Sequence, residues 1–334
     1  MSDQLMIEIT LDGAPRTIEA GSTGALLLQD AVKKDGVVAM RVNGEPWDLE
    51  RQVPAGAVVE PITLASEDGL NILRHSATHV MAQAVQEIFP DVNLGIGPFI
   101  TDGFYYDFGA IDAVTPEMLR EIEKRMKRIV KEGQRFVRRD ITEDQGREEL
   151  ADQPYKLELI TTKGAGAEGA SVEVGAGGLT MYDNVRRDGT VAWTDLCRGP
   201  HLPSTRLIGQ GFALTKSSSA YWKGDQSGDS LQRIYGTAWA TKDDLKAYQT
   251  RLAEAAKRDH RKLGAELDLY SFPEEIGPGL VVFHPKGGML RHEIESHVIR
   301  RHKEAGFDFV HTPEISKGGL FHTSGHLPYY ADTM

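Results

Sequence analysis

Cysteine is almost absent from this sequence, which has Cys197 as its only thiol among 334 residues. One thiol excludes a disulfide within the chain and is typical of proteins from reducing compartments. Residues 1–6 contain neither a basic nor an apolar segment, so we expect no secretion signal. No run approaches the roughly 18 apolar residues that a membrane-spanning helix needs. These absences predict a cytoplasmic protein that does not insert into membranes.

An excess of positive charge is absent as well, since the net charge is −11. This balance argues against a globally basic nucleic-acid binder. A local exception lies in the second half of a helix that Thr115, Pro116 and Glu117 predict to begin. The basic residues are Lys124, Arg125, Lys127, Arg128, Lys131, Arg135, Arg138 and Arg139. Such a run is usually a solvated face, but it also fits a phosphate backbone, and both interpretations stay open.

The length predicts two to four domains, and the order of elements predicts a multidomain α+β protein. In the first 64 residues, strands alternate with turn signals and one helix. The strands are predicted at 6–11, 37–42 and 58–62, and the helix from Ser22 or Thr23 to about Lys34. This order is typical of a ubiquitin-like β-grasp domain.

Two short motifs carry the residues best suited to chemistry. His75 and His79 lie in a predicted helix over 71–89, where their spacing puts both imidazoles on one face. Cys197 and His201 have the same spacing in a Gly-Pro-rich stretch. Three imidazoles and a thiol form a tetrahedral zinc set, but also a set that positions water without metal. The structural alternative is that the histidines are satisfied in the core and the cysteine is a small buried hydrophobe.

Three further segments bear on function. Residues 103–108 predict an aromatic strand, whose rings we expect mostly in the core. Residues 154–160 predict a connector and short strand that carries Lys156. The Gly-rich stretch 163–178 lacks the GK[ST] ending of a phosphate loop and opens no helix, so we interpret it as a flexible surface insertion.

The last part of the chain predicts a long, charged connecting helix from Asp243 to about Leu263. A third unit opens at Leu267, with a helix over 289–304 and a strand over 307–310. One helix and one strand cannot close a core of their own, so we expect this unit to be incomplete.

Taken together, the motifs resemble bacterial-type threonyl-tRNA synthetases over essentially the whole chain. The matching motifs lie at residues 74–79, 103–107, 155–156, 195–201, 231–239 and 255–264. The histidine and cysteine motifs alone are shared with alanyl-tRNA editing domains. The N-terminal unit and the tail are similar to the threonyl branch.

The resemblance implies four parts. They are a TGS-like β-grasp domain (1–64), an α+β editing domain (65–240), a linker helix (241–265) and the start of a class II synthetase catalytic domain (266–334). The family's later motifs for ATP and the tRNA acceptor end would lie beyond Met334, so we expect this chain to edit but not to activate threonine. Zinc and Mg-ATP would belong to the catalytic domain of the full-length enzyme. The expected partner is tRNA(Thr), and the full-length enzyme is expected to be a homodimer.

The editing reaction implied by the resemblance is hydrolysis of mischarged seryl-tRNA(Thr). A second site is needed because one methyl group discriminates serine from threonine by only about 1–3 kcal/mol. The expected catalytic residues are His75, His79, Lys156, Asp195, Cys197 and His201, and the expected substrate-binding residues are Tyr105, Tyr106 and Arg198.

These residues have distinct expected roles. His75 and His201 hold the attacking water, Lys156 donates to the oxyanion or to the terminal ribose, and Asp195 binds the substrate ammonium or orients a neighbour. Cys197 is a nucleophile, a metal ligand or a wall, and we favour the wall because no third group in the sequence activates the thiol.

The metal and the function each have an alternative. The four side chains His75, His79, Cys197 and His201 suit zinc by type, but the resemblance implies editing without metal, so we expect no cofactor at this site. The alternative functions are a zinc-dependent hydrolase of a small substrate and a non-catalytic tRNA-binding module.

Overall fold

The structure, a computed structural model, describes residues 5–163, 174 and 178–333. It is a mixed α/β protein with two compact units, Met1–Thr250 and Arg251–Met334. The Gly-rich segment 163–178 lies almost wholly outside the described residues. Within the described ranges, no helix is both long and apolar enough to cross a membrane.

The first unit begins with a five-stranded sheet and two short helices. The elements are β1 (Met6–Leu11), β2 (Ala14–Glu19), α1 (Gly24–Leu27), α2 (Gln29–Lys34), β3 (Val37–Val42), β4 (Glu45–Trp47) and β5 (Val58–Thr63). The strand order is β2-β1-β5-β3-β4, with β1 and β5 parallel and the other pairs antiparallel. Thr23 caps the predicted helix, but Leu28 divides it into α1 and α2. We call this part the N-terminal sheet unit.

The strand β3 is buried on both faces, which joins the N-terminal sheet unit to the rest of the first unit. Met40 and Val42 point into the unit's own core. Val38 and Ala39 pack in the larger core that is centred on the next helix. A strand with two covered faces has a nearly continuous apolar sequence, as here.

The remainder of the first unit contains two more sheets with helices packed on them. The elements are α3 (Glu67–Ile88), β6 (Asn93–Leu94), β7 (Phe99–Ile100), β8 (Gly103–Gly109), α4 (Pro116–Glu132), β9 (Arg135–Ile141), α5 (Glu143–Glu149), α6 (Pro154–Thr162), β10 (Leu179–Val185), β11 (Val191–Leu196), β12 (Phe212–Tyr221) and β13 (Ser230–Ala238), with 3-10 helices at Thr205–Ile208 and Trp222–Gly224. One sheet has the order β11-β10-β9. The other has the order β12-β13-β8-β6, with β7 also paired to β8.

The predicted histidine-bearing helix is confirmed as α3. Ser66 caps it by accepting from the amide of Gly69 at 3.1 Å, and Glu67 and Asp68 favour the positive end of the helix dipole. Residues 72–85 are buried on all sides, because α3 packs against α4, β8 and β5. Any polar side chain in this stretch must therefore find its partners inside the protein.

The predicted helix at Thr115 is confirmed as α4, and its basic residues are largely paired. Glu87 of α3 receives both Arg125 and Arg128, and Glu123 receives Lys127 at 2.6 Å. Ion pairs of this kind leave little uncompensated positive charge, which favours the solvated-face interpretation over a phosphate-binding surface.

The strand predicted at 154–160 is wrong, since these residues form helix α6. Pro154 occupies the first turn, where its missing amide costs nothing. The buried residues of α6 are Tyr155, Lys156, Leu159 and Ile160. They form two adjacent pairs four residues apart, which lie on one face of a helix.

The last elements are α7, which spans the boundary of the two units, and those of the second unit. They are α7 (Lys242–Lys257), α8 (His260–Glu266), β14 (Tyr270–Ser271), β15 (Val282–Phe283), α9 (Pro285–Glu304), α10 (Gly318–Thr323) and α11 (His326–Tyr329). The long predicted helix is two helices, because Asp259 ends the first and caps α8 by accepting from the amide of Arg261 at 2.8 Å.

The second unit leaves much apolar surface uncovered. The predicted helix at 289–304 is confirmed within α9, but its apolar residues Leu290, Ile294 and Val298 are exposed. The strand predicted at 307–310 is wrong, since no described segment pairs with it. A strand needs a partner for its backbone groups, and sequence alternation does not supply one.

Candidate active site

Four side chains from the two sequence motifs meet in the core of the first unit. His75 and His79 project from successive turns of α3, Cys197 follows β11, and His201 lies in the next loop. All four are buried, and their ligand-type atoms lie within 4.8 Å of one another. The Cys197 sulfur is 3.2 Å from His75 Nε2 and 3.3 Å from His201 Nε2. We call these four residues the His/Cys cluster.

Ser76, which the sequence analysis did not single out, determines the tautomer of His201. Its hydroxyl donates to the carbonyl of Ile72 at 2.8 Å, and its oxygen accepts from the amide of Leu202 at 2.9 Å. His201 Nδ1 lies 3.2 Å from the same oxygen. Since the hydroxyl has already donated its proton, Nδ1 donates and Nε2 of the neutral ring keeps its lone pair toward Cys197.

The centre of the cluster is rich in acceptors. The sulfur of Cys197 lies between two ring nitrogens and also accepts from the amide of Gly199 at 3.2 Å. His79 Nδ1 is buried and has no hydrogen-bond partner among the described residues. A buried nitrogen of this kind calls for an ordered water or an ion.

Burial keeps the three imidazoles neutral at physiological pH. It lowers the pKa of His75 to about 4; a hydrogen bond to the carbonyl of Pro200 opposes this shift, and the charge of Lys156 adds to it. Burial also lowers the pKa of His79 and of His201 well below the ordinary value, and the neighbouring imidazoles add to both shifts. The rings are therefore neutral, and their lone pairs can accept a hydrogen bond from water or bind a cation.

Lys156 and Asp195 form an ion pair with no exposed surface on either side chain. Lys156 Nζ lies 2.9 Å from Asp195 Oδ1, which also accepts from the amide of Leu196 at 2.8 Å. Asp195 Oδ2 accepts from the hydroxyl of Tyr106 at 2.5 Å. Burial raises the pKa of Asp195, and the charge of Lys156 opposes that rise. All of these contacts fix the carboxylate in one orientation.

The three residues expected to bind substrate occupy different places. Tyr106 lies beside Asp195 in the core. Tyr105 points to the other face of β8, where its ring lies 3.9 Å below the guanidinium of Arg233, so the structure does not bring it to the His/Cys cluster. Arg198 is exposed at the mouth of the site.

A cavity of about 510 Å³ gives access to the cluster through His75. Its other walls come from Phe99, from the loop with Arg198 and Pro200, and from the N-terminal sheet unit. That unit supplies Trp47 and Arg51, whose guanidinium lies 3.3 Å from the centre of the Trp47 ring. His75 is the member of the cluster that lines this space, and the other three are not part of its lining.

The His/Cys cluster also suits a zinc ion by its donor types. Zinc bound by nitrogen at about 2.0 Å and by sulfur at about 2.3 Å places tetrahedral ligand atoms roughly 3.3–3.6 Å apart. The distances from the sulfur to the two Nε2 atoms are 3.2 and 3.3 Å. The hydrogen bonds from Gly199 to the sulfur and from His201 to Ser76 are of the kind that orient metal ligands.

Residues 178–235 match a protein family described as the second additional domain of threonyl and alanyl tRNA synthetases. The matched segment includes Asp195, Cys197 and His201. The segment that carries these three residues is therefore similar to the additional domain of such synthetases.

Curated relatives narrow the class. The chain is 72% identical over 333 residues to a protein named threonine–tRNA ligase from Cutibacterium acnes, covering 99% of this chain and 48% of that protein. Proteins of the same name from Pseudarthrobacter chlorophenolicus and Thermobifida fusca are 57% and 59% identical, over 100% and 98% of this chain and 50% of each protein. The chain thus spans about half the length of the curated relatives it matches. Over its whole length the chain corresponds to the N-terminal portion of bacterial proteins of this name.

Proposed function

We propose that this chain carries an editing site that hydrolyses seryl-tRNA(Thr). The observation that carries the proposal is the His/Cys cluster, which combines three neutral imidazoles and a thiol beside one accessible cavity. Ester hydrolysis needs a positioned water, a group to take its proton and stabilisation of the oxyanion. Neutral imidazoles serve the first two needs, and the buried charge of Lys156 lies close enough to lower the pKa of two of them.

The ring of His75, which borders the cavity, is the proposed contact with the scissile ester. A water held by His75 and His201 would attack the carbonyl carbon, and one of these rings would take its proton. The bond from the carbonyl carbon to the ribose oxygen would then break, and the ring would pass the proton to that oxygen. Cys197 would act as polar lining and wall. The wall would leave room for the serine side chain and clash with the additional methyl group of threonine, which is the sieve that a synthetic site cannot provide by itself.

The enclosed Lys156–Asp195 pair has a proposed electrostatic role. Both carboxylate oxygens of Asp195 already accept hydrogen bonds, which supports an orienting role over the binding of a substrate ammonium. Lys156 would stabilise the oxyanion by its charge from behind the cluster. It would contact the ester only if the site opens.

Our proposal for the metal is that deacylation proceeds without zinc, as the resemblance implies. If zinc binds, His75, His79, Cys197 and His201 would hold it, and it would supply a Lewis acid for the ester or water. No other cofactor is proposed for editing. Zinc and Mg-ATP are proposed for the catalytic domain of the full-length enzyme.

The proposed domains are those the resemblance implies: TGS-like β-grasp (1–64), editing (65–240), linker helix (241–265) and the start of a class II catalytic domain (266–334). The strand order of the N-terminal sheet unit supports the first of them. The proposed partner is tRNA(Thr), and the full-length protein is proposed to be a homodimeric threonine–tRNA ligase. The proposed compartment is the cytoplasm, where aminoacyl-tRNA is made and used.

One second candidate has an observation in its favour. The fit of the His/Cys cluster to zinc supports a metal-dependent hydrolase of a small ester or amide. That protein would turn over substrates without tRNA and would lose all activity with a chelator.

The test is single-turnover hydrolysis of seryl-tRNA(Thr), alongside a free serine ester. We expect rapid hydrolysis of the tRNA ester and no hydrolysis of the free serine ester above background. Rapid hydrolysis of the free ester would favour the small-substrate hydrolase. Tight binding of the tRNA without turnover would leave only a binding module.

A further inference from the structure

A carboxylate from the N-terminal sheet unit enters the candidate active site from outside the two motifs. Asp48 follows β4, and its backbone is held by the core of its own unit. The next residue, Leu49, is buried there, and its carbonyl accepts from the amide of Ala25 at 2.7 Å. The carbonyl of Arg51 accepts from the amide of Gly24 at 3.2 Å. The position of Asp48 is thus set by the N-terminal sheet unit.

The side chain of Asp48 leaves that unit and makes two hydrogen bonds at the His/Cys cluster. Oδ1 accepts from the backbone amide of His201 at 2.9 Å. Oδ2 accepts from the hydroxyl of Tyr182 at 2.6 Å. Both partners lie more than 130 residues further along the chain, at separations of 153 and 134. Hydrogen bonds to a charged acceptor are about twice as strong as neutral ones.

These two contacts hold the backbone of His201 and the Tyr182 ring that packs against the His201 ring. The loop from Cys197 to His201 has no regular secondary structure, so its amides depend on individual acceptors. The ring of Tyr182 stands edge-on to the His201 ring, with centroids 4.5 Å apart. Asp48 therefore fixes His201 through its backbone, while Ser76 fixes the same residue through its ring.

Attachment of the N-terminal sheet unit does not require this carboxylate. Val38, Ala39 and Ile62 already pack in the core around α3, and Arg41 pairs with Asp68. Burial of a carboxylate costs several kcal/mol, and an apolar residue would often stabilise such a contact as well or better. A costly group that adds little to docking is explained by the geometry that it imposes.

We propose that Asp48 is a positioning residue of the editing site, so that the N-terminal sheet unit completes the site. The inference rests on the proposed deacylase function. The N-terminal sheet unit, which has no catalytic groups of its own, would thus be part of the active site. The sequence shows no sign of this role, because Trp47-Asp48-Leu49 matches no motif and its partners are remote.

The experiment compares single-turnover hydrolysis of seryl-tRNA(Thr) by the whole chain and by the variants Asp48→Ala and Asp48→Asn. Asp30→Asn is the control. Asp30 is exposed on α2, and its substitution removes the same charge from the same unit. We expect Asp48→Ala to lower the maximal rate about 10- to 100-fold, with the half-saturating enzyme concentration unchanged. Asp48→Asn keeps an acceptor oxygen for His201 and should lose less. A folded Asp48→Ala protein with the wild-type rate would overturn the proposal.

A second readout reports on the hydrogen bond itself. Labelling with 15N-histidine gives 11 backbone signals, and the His201 signal is the one lost in His201→Gln. In Asp48→Asn its amide proton should move upfield, because a neutral acceptor replaces a charged one. If Asp48→Ala does not fold, the test uses Asp48→Asn instead. A wild-type hydrolysis rate together with a wild-type His201 amide shift in that variant would refute the proposal. If the wild-type chain hydrolyses no seryl-tRNA(Thr), the deacylase function fails, and the shift alone tells whether Asp48 holds His201.

Discussion

The buried pair of Lys156 and Asp195 makes a quantitative prediction for Lys156→Met. The variant leaves the Asp195 carboxylate enclosed, and its remaining donors among the described residues are the Tyr106 hydroxyl and the Leu196 amide. Removing one partner of a buried ion pair typically costs about 3–5 kcal/mol of folding free energy. The loss has an upper limit, because the carboxylate can take up a proton instead.

That limit depends on pH and can be calculated. Protonation of a carboxyl with an ordinary pKa costs about 4 kcal/mol at pH 7 and about 1.5 kcal/mol at pH 5. The destabilisation by Lys156→Met should therefore be about 3–4 kcal/mol at pH 7 and about 1.5 kcal/mol at pH 5. For a unit of this size, the loss at pH 7 corresponds to a fall in Tm of roughly 6–16 °C.

The assay is denaturant unfolding of both proteins at the two pH values. Lys124→Met is the matched control, because Lys124 is 79% exposed and its ion pair with Glu121, at 3.5 Å, lies at the surface. That control should lose less than about 1 kcal/mol at either pH. A loss below about 1 kcal/mol for Lys156→Met at pH 7, or one that grows toward pH 5, would refute the burial of this pair.

Three further predictions concern the His/Cys cluster. Burial lowers the pKa of His75 to about 4, so this ring stays neutral above pH 5. The deacylation rate, corrected for spontaneous hydrolysis, should therefore not fall between pH 7.5 and pH 5.5. A fall in rate with a midpoint near pH 6.5 would contradict a buried imidazole. Exhaustive chelation should leave the rate unchanged, and loss of turnover that added zinc restores would show that the route requires the metal. Cys197→Ser should retain more activity than His75→Ala, because a wall tolerates a near-isosteric change and a water-binding ring does not; equal losses would assign the thiol a chemical role.

The short-range features of the site could be predicted from the sequence. Histidines four residues apart share a helix face wherever the helix forms, and the apolar periodicity over 71–89 indicated that helix. The cap at Thr115 was equally local. The pairing of the two motifs across 122 residues was inferred from the residue types and from the family resemblance, since no local rule predicts it.

The failures share a physical cause, which is that long-range packing decides the outcome. Lys156 lies in a helix rather than a strand because one face of residues 155–160 fits the core, and a short apolar run does not distinguish the two. Residues 307–310 alternate like a strand but find no partner among the described residues. Ser76 and Asp48 accept hydrogen bonds from His201 through tertiary contacts, and such contacts leave no periodic pattern in the sequence.

If the His/Cys cluster is an editing site, it removes serine, but not threonine, from tRNA(Thr). The direct measurement is the single-turnover rate for seryl-tRNA(Thr) and threonyl-tRNA(Thr), with the same tRNA preparation and with His75→Ala as the inactive control. We expect fast hydrolysis of the seryl ester, a threonyl ester lost no faster than in buffer, and no activity in His75→Ala. Equal rates for the two esters, or an unchanged rate in His75→Ala, would contradict it.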